Sequence, residues 1–379
     1  MKSFLRFCMA SLIVMQQVKA QGISAPKYSN EFLNLGVGAR ALAMGGTHVA
    51  VSQDVTAGFW NPAGLLHIQK PFQAALMHAE YFGGVANYDY AGIAARLDES
   101  GTVGFSLIRM GIDNIPDTRL LIAPDGSVNY NNVGSFADAS YGFLLSYARE
   151  SSLIKGLKGG ANLKIIHRTA GAFANAWGFG IDVGAQLQRG QWLLGLVGRD
   201  ITSTFNVWNY NSASVLEIFS QTGNQIPTNS IELTLPRLVA EVARSISWSE
   251  NLGASITAGI TITTDGKRNT LLRTNLFSAD LQAGMEWHYK RTFFLRGGVG
   301  NFQRLQNFDK TYYTQTQPSF GLGFRILNFY IDYALTNALR SDAVLYSHVF
   351  SVRGEFENLW TQKQKNTQSQ KSKNKNTKR

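Results

Sequence analysis

Chemistry in a folded chain needs nucleophiles, acids, bases or metal ligands at spacings that bring them together, and this sequence offers few. Its six histidines, His48, His67, His78, His167, His288 and His348, show no pairing at metal-ligand spacing. Gly36-Val37-Gly38-Ala39-Arg40-Ala41 imitates a dinucleotide fingerprint. A true one follows a strand and opens the helix of a βαβ unit, and neither context surrounds it. No G-x-S-x-G elbow occurs. The sole cysteine, Cys8, lies in a segment expected to be removed, so the mature chain has neither disulfide nor thiolate chemistry. No catalytic residue, metal or cofactor is expected, and the chain is not read as an enzyme.

What remains is ionic. Asp138, Lys164, Arg168, Asp182, Glu241, Asp280, Glu286, Arg296, Arg325, Asp332 and Arg353 sit among small residues in alternating segments, and their signs are mixed. An ion-selective ring would carry one sign. Mixed charges facing an enclosed space must pair or stay wet, so they are expected to pair with each other and with Arg40 and Asp54. A polar solute path is the functional alternative.

Those charges need elements to hold them. Lys2 and Arg6 precede an apolar run at 7–15, and Val18-Lys19-Ala20 supplies small residues before a cut, so 1–20 is expected to be a secretory signal. That run is about half the length a bilayer-spanning helix needs, and no later stretch reaches it. A helical membrane protein is thereby excluded. Of the 379 residues only 16% are charged, while 12% are aromatic and 37 are Gly, a balance that suits a lipid-facing barrel better than a soluble enzyme. The net charge of +11 is misleading. Three positives lie in the signal and seven beyond Trp360, leaving +1 for the body, so nucleic acid is not an expected partner.

The body alternates with period two. Trp177, Phe179, Ile181, Val183, Ala185 and Leu187 share one face, against Gly178, Gly180, Asp182, Gly184 and Gln186. Ala279, Leu281, Ala283, Met285, Trp287 and Tyr289 repeat the split, as do Ala254, Ile256, Ala258, Ile260 and Ile262. Ala137, Ala139, Tyr141, Phe143, Leu145 and Tyr147 do the same, with Leu144 the one apolar residue on the opposite face. A soluble sandwich would put bulky charge on its outer face; here the charges lie on the small, Gly-rich face, as in a barrel with a polar lumen. Roughly fourteen such segments occur, joined by short turns on one side and longer loops on the other, with the short side expected to be periplasmic.

Ahead of the strands, residues 36–66 form a small-residue stretch whose only charges are Arg40 and Asp54, closing on Trp60-Asn61-Pro62-Ala63-Gly64-Leu65-Leu66. Gly and Ala let backbones pass closely. Pro62 biases Asn61 away from the helical region, and Asn61 can cap a turn that starts at Pro62. The order G-A-R-A-L-A-M-G-G followed by W-N-P-A-G-L resembles the N-terminal hatch of FadL-type outer-membrane barrels. It resembles most closely the PorV/PorQ branch associated with type IX secretion in Bacteroidota-type bacteria. The resemblance implies an all-β fold: a transmembrane antiparallel β-barrel of about fourteen strands with a small N-terminal hatch. The expected division is signal 1–20, hatch 21–70 inside the barrel, barrel 71–358 and a basic tail 359–379, with hatch and tail on the periplasmic side. Arg40, Asp54, Trp60, Asn61 and Pro62 are the expected hatch residues.

The resemblance also implies a function: binding, shuttling or anchoring proteins in type IX export. Expected partners are outer-membrane lipid, secretion or surface-attachment proteins, and cargo C-terminal signal domains. The alternative is FadL-like uptake of hydrophobic small molecules. That would need an apolar lumen, which the inward faces, mostly Gly, Ser, Thr, Gln and charge, do not suggest. Partner contacts are expected in the longest loops, 112–136 and 200–235, through Ile115, Leu120, Leu121, Ile122, Val215, Leu216, Ile218 and Phe219. The tail, almost wholly Lys, Gln, Asn, Ser and Thr, buries too little to fold and is expected to tether weakly to periplasmic anions.

Overall fold

Strands whose outward faces meet lipid can satisfy every backbone group only if the sheet closes on itself, and in the computed structural model it does. Residues 23–123, 125–152, 154–211, 230–336 and 346–357 are described. The expected signal, the expected tail, and Val215, Leu216, Ile218 and Phe219 lie outside them.

Fourteen antiparallel strands make the wall. They are β1 (Phe72–Tyr81), β2 (Ala86–Arg96), β3 (Gly101–Asp117), β4 (Gly134–Glu150), β5 (Leu157–Ala170) and β6 (Ala174–Arg189). Next come β7 in two pieces (Trp192–Arg199 and Thr204–Tyr210), β8 in two pieces (Ser230–Thr234 and Arg237–Ser247) and β9 (Leu252–Thr263). The last five are β10 (Ser278–Tyr289), β11 (Phe293–Gln306), β12 (Tyr312–Ile326), β13 (Phe329–Thr336) and β14 (Ser347–Phe356). Closure is between β14 and β1, with Phe356 opposite Phe72 and His348 opposite Glu80. Outward side chains such as Phe179, Leu196, Leu295 and Leu322 form an exposed apolar belt, and Tyr147, Trp192, Trp248 and Tyr289 stand at its short-turn end.

The long loops differ from expectation. β3 runs on to Asp117, so Ile115 lies in the ladder opposite Phe136 rather than in a loop. Segment 200–235 is not one loop either, because the wall continues through Thr204–Tyr210 and Ser230–Thr234. Once strands rise beyond lipid their outward faces need not be apolar, so the alternation fades while the ladder continues.

Between the two pieces of β7 the chain leaves the ladder at 200–203, with Asp200 and Ser203 at φ 55° and 54°. The inner piece pairs with Val183–Arg189 of β6 and the outer with Ala174–Phe179. Ile201 alone keeps a backbone bond across the interruption, to the carbonyl of Ile181 at 3.0 Å.

The N-terminal segment is a set of short turns: a 3-10 turn at Glu31–Asn34, α1 (Ala39–Ala43), α2 (Ala57–Trp60) and a 3-10 turn at Pro62–His67. Its start is at the long-loop end, where Ile23–Ser24 pair in parallel with Ile231–Glu232 and Lys27 donates to the carbonyl of Lys267 at 3.1 Å. Its finish is at the short-turn end, where Lys158 meets the His67 ring at 3.1 Å. The segment therefore runs the length of the lumen rather than sitting at the short-turn end alone.

Candidate functional site

The lumen side of β8 to β14 holds the segment by charge. Arg40, on α1, donates two hydrogen bonds of 2.8 Å to the two carboxylate oxygens of Glu286 on β10. Arg296 on β11 donates to the same Glu286 at 2.6 Å and to Asp332 on β13 at 2.7 Å. Paired geometry of this kind is what compensates burial of such charges. Burial would lower the Arg40 pKa, but Glu286 outweighs it and holds the guanidinium charged. Asp54 accepts from Arg353 of β14 at 2.8 Å and from Thr56 Oγ1 at 2.5 Å. Burial raises the Asp54 pKa, yet Arg353 prevails and keeps it below the usual carboxylate range. Glu241 of β8 accepts the backbone N–H groups of His48 and Ala50 at 3.1 and 3.0 Å. Burial, with Arg40 nearby, pushes the His48 imidazole down to about 3, so it stays neutral.

The W-N-P turn has a local logic. Asn61 is extended (φ −156°, ψ 104°), and its side-chain oxygen accepts from the Ala63 N–H at 3.2 Å, capping the last 3-10 turn that Pro62 opens. The Asn61 amide also donates to the carbonyls of Val49 at 3.1 Å and Ala185 at 3.0 Å, tying turn, segment and β6 together. Trp60 donates its indole N–H to the Val37 carbonyl at 2.8 Å. Close approach explains the lumen glycines: a Cβ at Gly298 would overlap the Met44 carbonyl carbon, and one at Gly184 would overlap the Asn61 side chain.

The opposite side of the lumen is apolar toward the long-loop end. Tyr88, Ile108, Leu144 and Ile166 point inward from β2, β3, β4 and β5 and are buried in one cluster with Phe32 and Leu33 of the segment. Leu33 and Phe32 lie over Gly142, beside Ile108. Tyr81 and Tyr88 meet edge to face at 5.9 Å. Among the described residues the buried Tyr88 hydroxyl has no hydrogen-bond partner. Part of the lumen is therefore greasy, contrary to the reading from the inward faces. Leu144 was the one sequence signal of it.

Where β7 is interrupted, a third group of charges fills the inner side. Lys164 donates to Asp182 at 2.9 Å and also contacts Asp200, while Arg237 donates to Asp200 at 3.0 Å and contacts Asn34 of the segment. A polar cavity of about 570 Å³ opens between the segment and β8 to β14 at the short-turn end, lined by Arg40, Arg296, Arg325 and Arg353 among others. Of the expected partner contacts, Leu120 and Ile122 are strongly exposed in the β3–β4 connection, Leu121 is half-buried, and Ile122 bridges to Val128. Among the described residues no three His, Cys, Asp or Glu side chains gather as a metal site.

No family model matches the chain, and no curated protein matches it. Solved structures do. The Pseudomonas putida toluene transporter TodX superimposes with a TM-score of 0.54 at 13% identity, covering 85% of this chain and 99% of that one. The Ralstonia pickettii toluene transporter TbuX gives 0.51 at 15%, covering 85% and 99%. A Pseudomonas aeruginosa FadL homologue gives 0.50 at 13%, covering 85% and 98%. At such identities the likeness is one of architecture alone: a closed fourteen-strand antiparallel barrel.

Proposed function

We propose that this chain is an outer-membrane barrel that takes up small hydrophobic solutes, with its long loops outside and its short turns in the periplasm. The observation that carries the reading is the apolar chamber of Tyr88, Ile108, Leu144 and Ile166, filled by Phe32 and Leu33 of the N-terminal segment. An apolar solute can replace those two side chains while Arg40–Glu286 and Asp54–Arg353 stay paired, because those ion pairs lie on the other side of the lumen. The segment then acts as a displaceable plug, and the hydrocarbon channels that share the fold have solutes of the matching chemistry. Uptake of radiolabelled toluene and of a long-chain fatty acid, by cells carrying the barrel against cells carrying empty vector, tests this. Uptake of either above the control supports the proposal; neither, with the barrel shown to be inserted, overturns it.

A second reading has its own support. The segment's G-A-R-A-L-A-M-G-G and W-N-P-A-G-L motifs resemble the PorV/PorQ branch, and Leu120 and Ile122 stand exposed beyond the lipid belt. Under it the barrel binds or anchors proteins of type IX export, and the solute path stays closed. Recovery of secretion components with the detergent-solubilised barrel, lost on replacing Leu120 and Ile122 by Ser, is its expected outcome.

A further inference from the structure

The cavity at the short-turn end is built differently from either side of the plug. Two guanidinium groups sit on one aromatic ring: Arg353 lies 3.9 Å and Arg325 5.1 Å from the Tyr330 ring centre. The arrangement is set by register, since Tyr330 on β13 stands opposite Arg325 on β12 and opposite Arg353 on β14. Three adjacent inward positions thus form a pre-set cationic ladder.

Charge around the cavity is not balanced by its own walls. Of the lining carboxylates, Glu286 and Asp332 are taken by Arg40 and Arg296, and Arg353 is taken by Asp54. Arg291 and Arg325 also line the cavity, and among the described residues neither has an ion-pair partner. Glu355, the remaining carboxylate, accepts from the Gln73 amide at 3.1 Å and keeps its charge, so the lining holds five guanidinium groups against three carboxylates. Arg325 spends only its Nε–H, on the Leu327 carbonyl at 3.3 Å, leaving the fork of its two terminal nitrogens open. A guanidinium fork matches phosphate or carboxylate oxygens two at a time.

We infer that this cavity is a binding site for a small dianion, carrying phosphate or carboxylate groups, held by Arg325 and Arg291 beside Tyr330. The volume of about 570 Å³ suits a small molecule rather than a folded partner. The site is separate from the apolar chamber and does not depend on which function the barrel serves. It gives the short-turn face a ligand chemistry opposite to that of the lumen above.

Titration calorimetry on the full barrel in detergent micelles at low salt, with inorganic pyrophosphate and with succinate as separate probes, tests it. Binding of at least one probe is expected, weakening on the order of tenfold or more in Arg325→Gln and in Arg291→Gln. Arg325→Lys keeps the charge but loses the fork, and is expected to recover only part of the affinity. Pyrophosphate alone binding would mark a phosphate site, and succinate alone a carboxylate site. Heat-modifiable gel mobility identifies any variant that fails to fold, and either glutamine variant that folds suffices for the comparison. The inference is overturned if neither probe binds the native barrel, or if a folded glutamine variant binds as tightly as the native chain.

Discussion

The two sides of the lumen hold the same segment by opposite physics. Toward β8 to β14 the contacts are charged, directional and paired: Arg40 with Glu286, Asp54 with Arg353, and Arg296 bridging Glu286 and Asp332. Toward β2 to β5 Phe32 and Leu33 pack in one apolar cluster with Tyr88, Ile108, Leu144 and Ile166, while nearer the short turns Asn162 and Lys158 add hydrogen bonds to the Gly58 carbonyl and the His67 ring. A buried ion pair fixes position, because losing one partner strands the other in a low-dielectric site. An apolar contact fixes little, because any apolar group of similar size can replace it. The segment is therefore latched on one side and exchangeable on the other, which suits a plug that yields a solute space without leaving the barrel.

The largest expected effect comes from breaking the latch. Glu286→Ala leaves Arg40 and Arg296 facing each other without their shared carboxylate, and buried pairs broken in this way cost about 3–5 kcal/mol. The unfolding midpoint in urea should fall accordingly, and residues around α1 should become accessible to protease. A variant as stable as the native chain, with α1 still protected, would show that the ion pairs do not hold the segment.

The apolar side should respond less. Leu33 is 5% exposed, and truncating a buried leucine costs about 2–3 kcal/mol where the surroundings relax in part. Leu33→Ala should lower the urea midpoint by less than Glu286→Ala, and should increase binding of an apolar fluorescent probe because the vacated space adjoins Gly142 and Ile108 in the apolar cluster. Unchanged probe binding together with lost stability would mean that the chamber collapses rather than opens.

The same division decides what was legible in the chain. Outward and inward faces separate cleanly at 177–187, because there the inward residues are Gly, Asp and Gln, matched to the polar or close-packed part of the segment. At β2, β3 and β5 the inward residues include Tyr88, Tyr90, Ile108 and Ile166, so both faces read as apolar and the period-two contrast fails. The apolar chamber was missed for that reason, with Leu144 its only visible trace. The Asn61–Pro62 cap could be read because it is local, resting on dihedral preference and one short side chain. Which acid Arg40 meets could not, since Glu286 is 246 residues away and its placement depends on strand register. The interruption of β7 at 200–203 was equally hidden: Asp200, Ile201, Thr202 and Ser203 look like the start of a loop, and the strand beyond them is recognisable only by its pairing.

The smallest effect, and the one that sharpens the comparison most, is expected at Asn61, which belongs to neither side. Its oxygen caps the last turn while its amide joins the Val49 carbonyl of the segment to the Ala185 carbonyl of β6. Asn61→Ala removes a cap and two hydrogen bonds, but the isolated loss of such a cap is typically about 1 kcal/mol. Asn61→Asp keeps the cap acceptor and loses the donor to both carbonyls, so comparing the two variants separates capping from tethering. If the segment is latched only by its charges, the Asn61→Ala effect should add to that of Leu33→Ala within about 0.5 kcal/mol, as independent sites do. It should fall short of addition with Glu286→Ala, because a segment already released has no tether left to lose. Full additivity with Glu286→Ala would show that the W-N-P turn stays docked after the ion pairs are broken, and the latch would then have to be assigned to that turn instead.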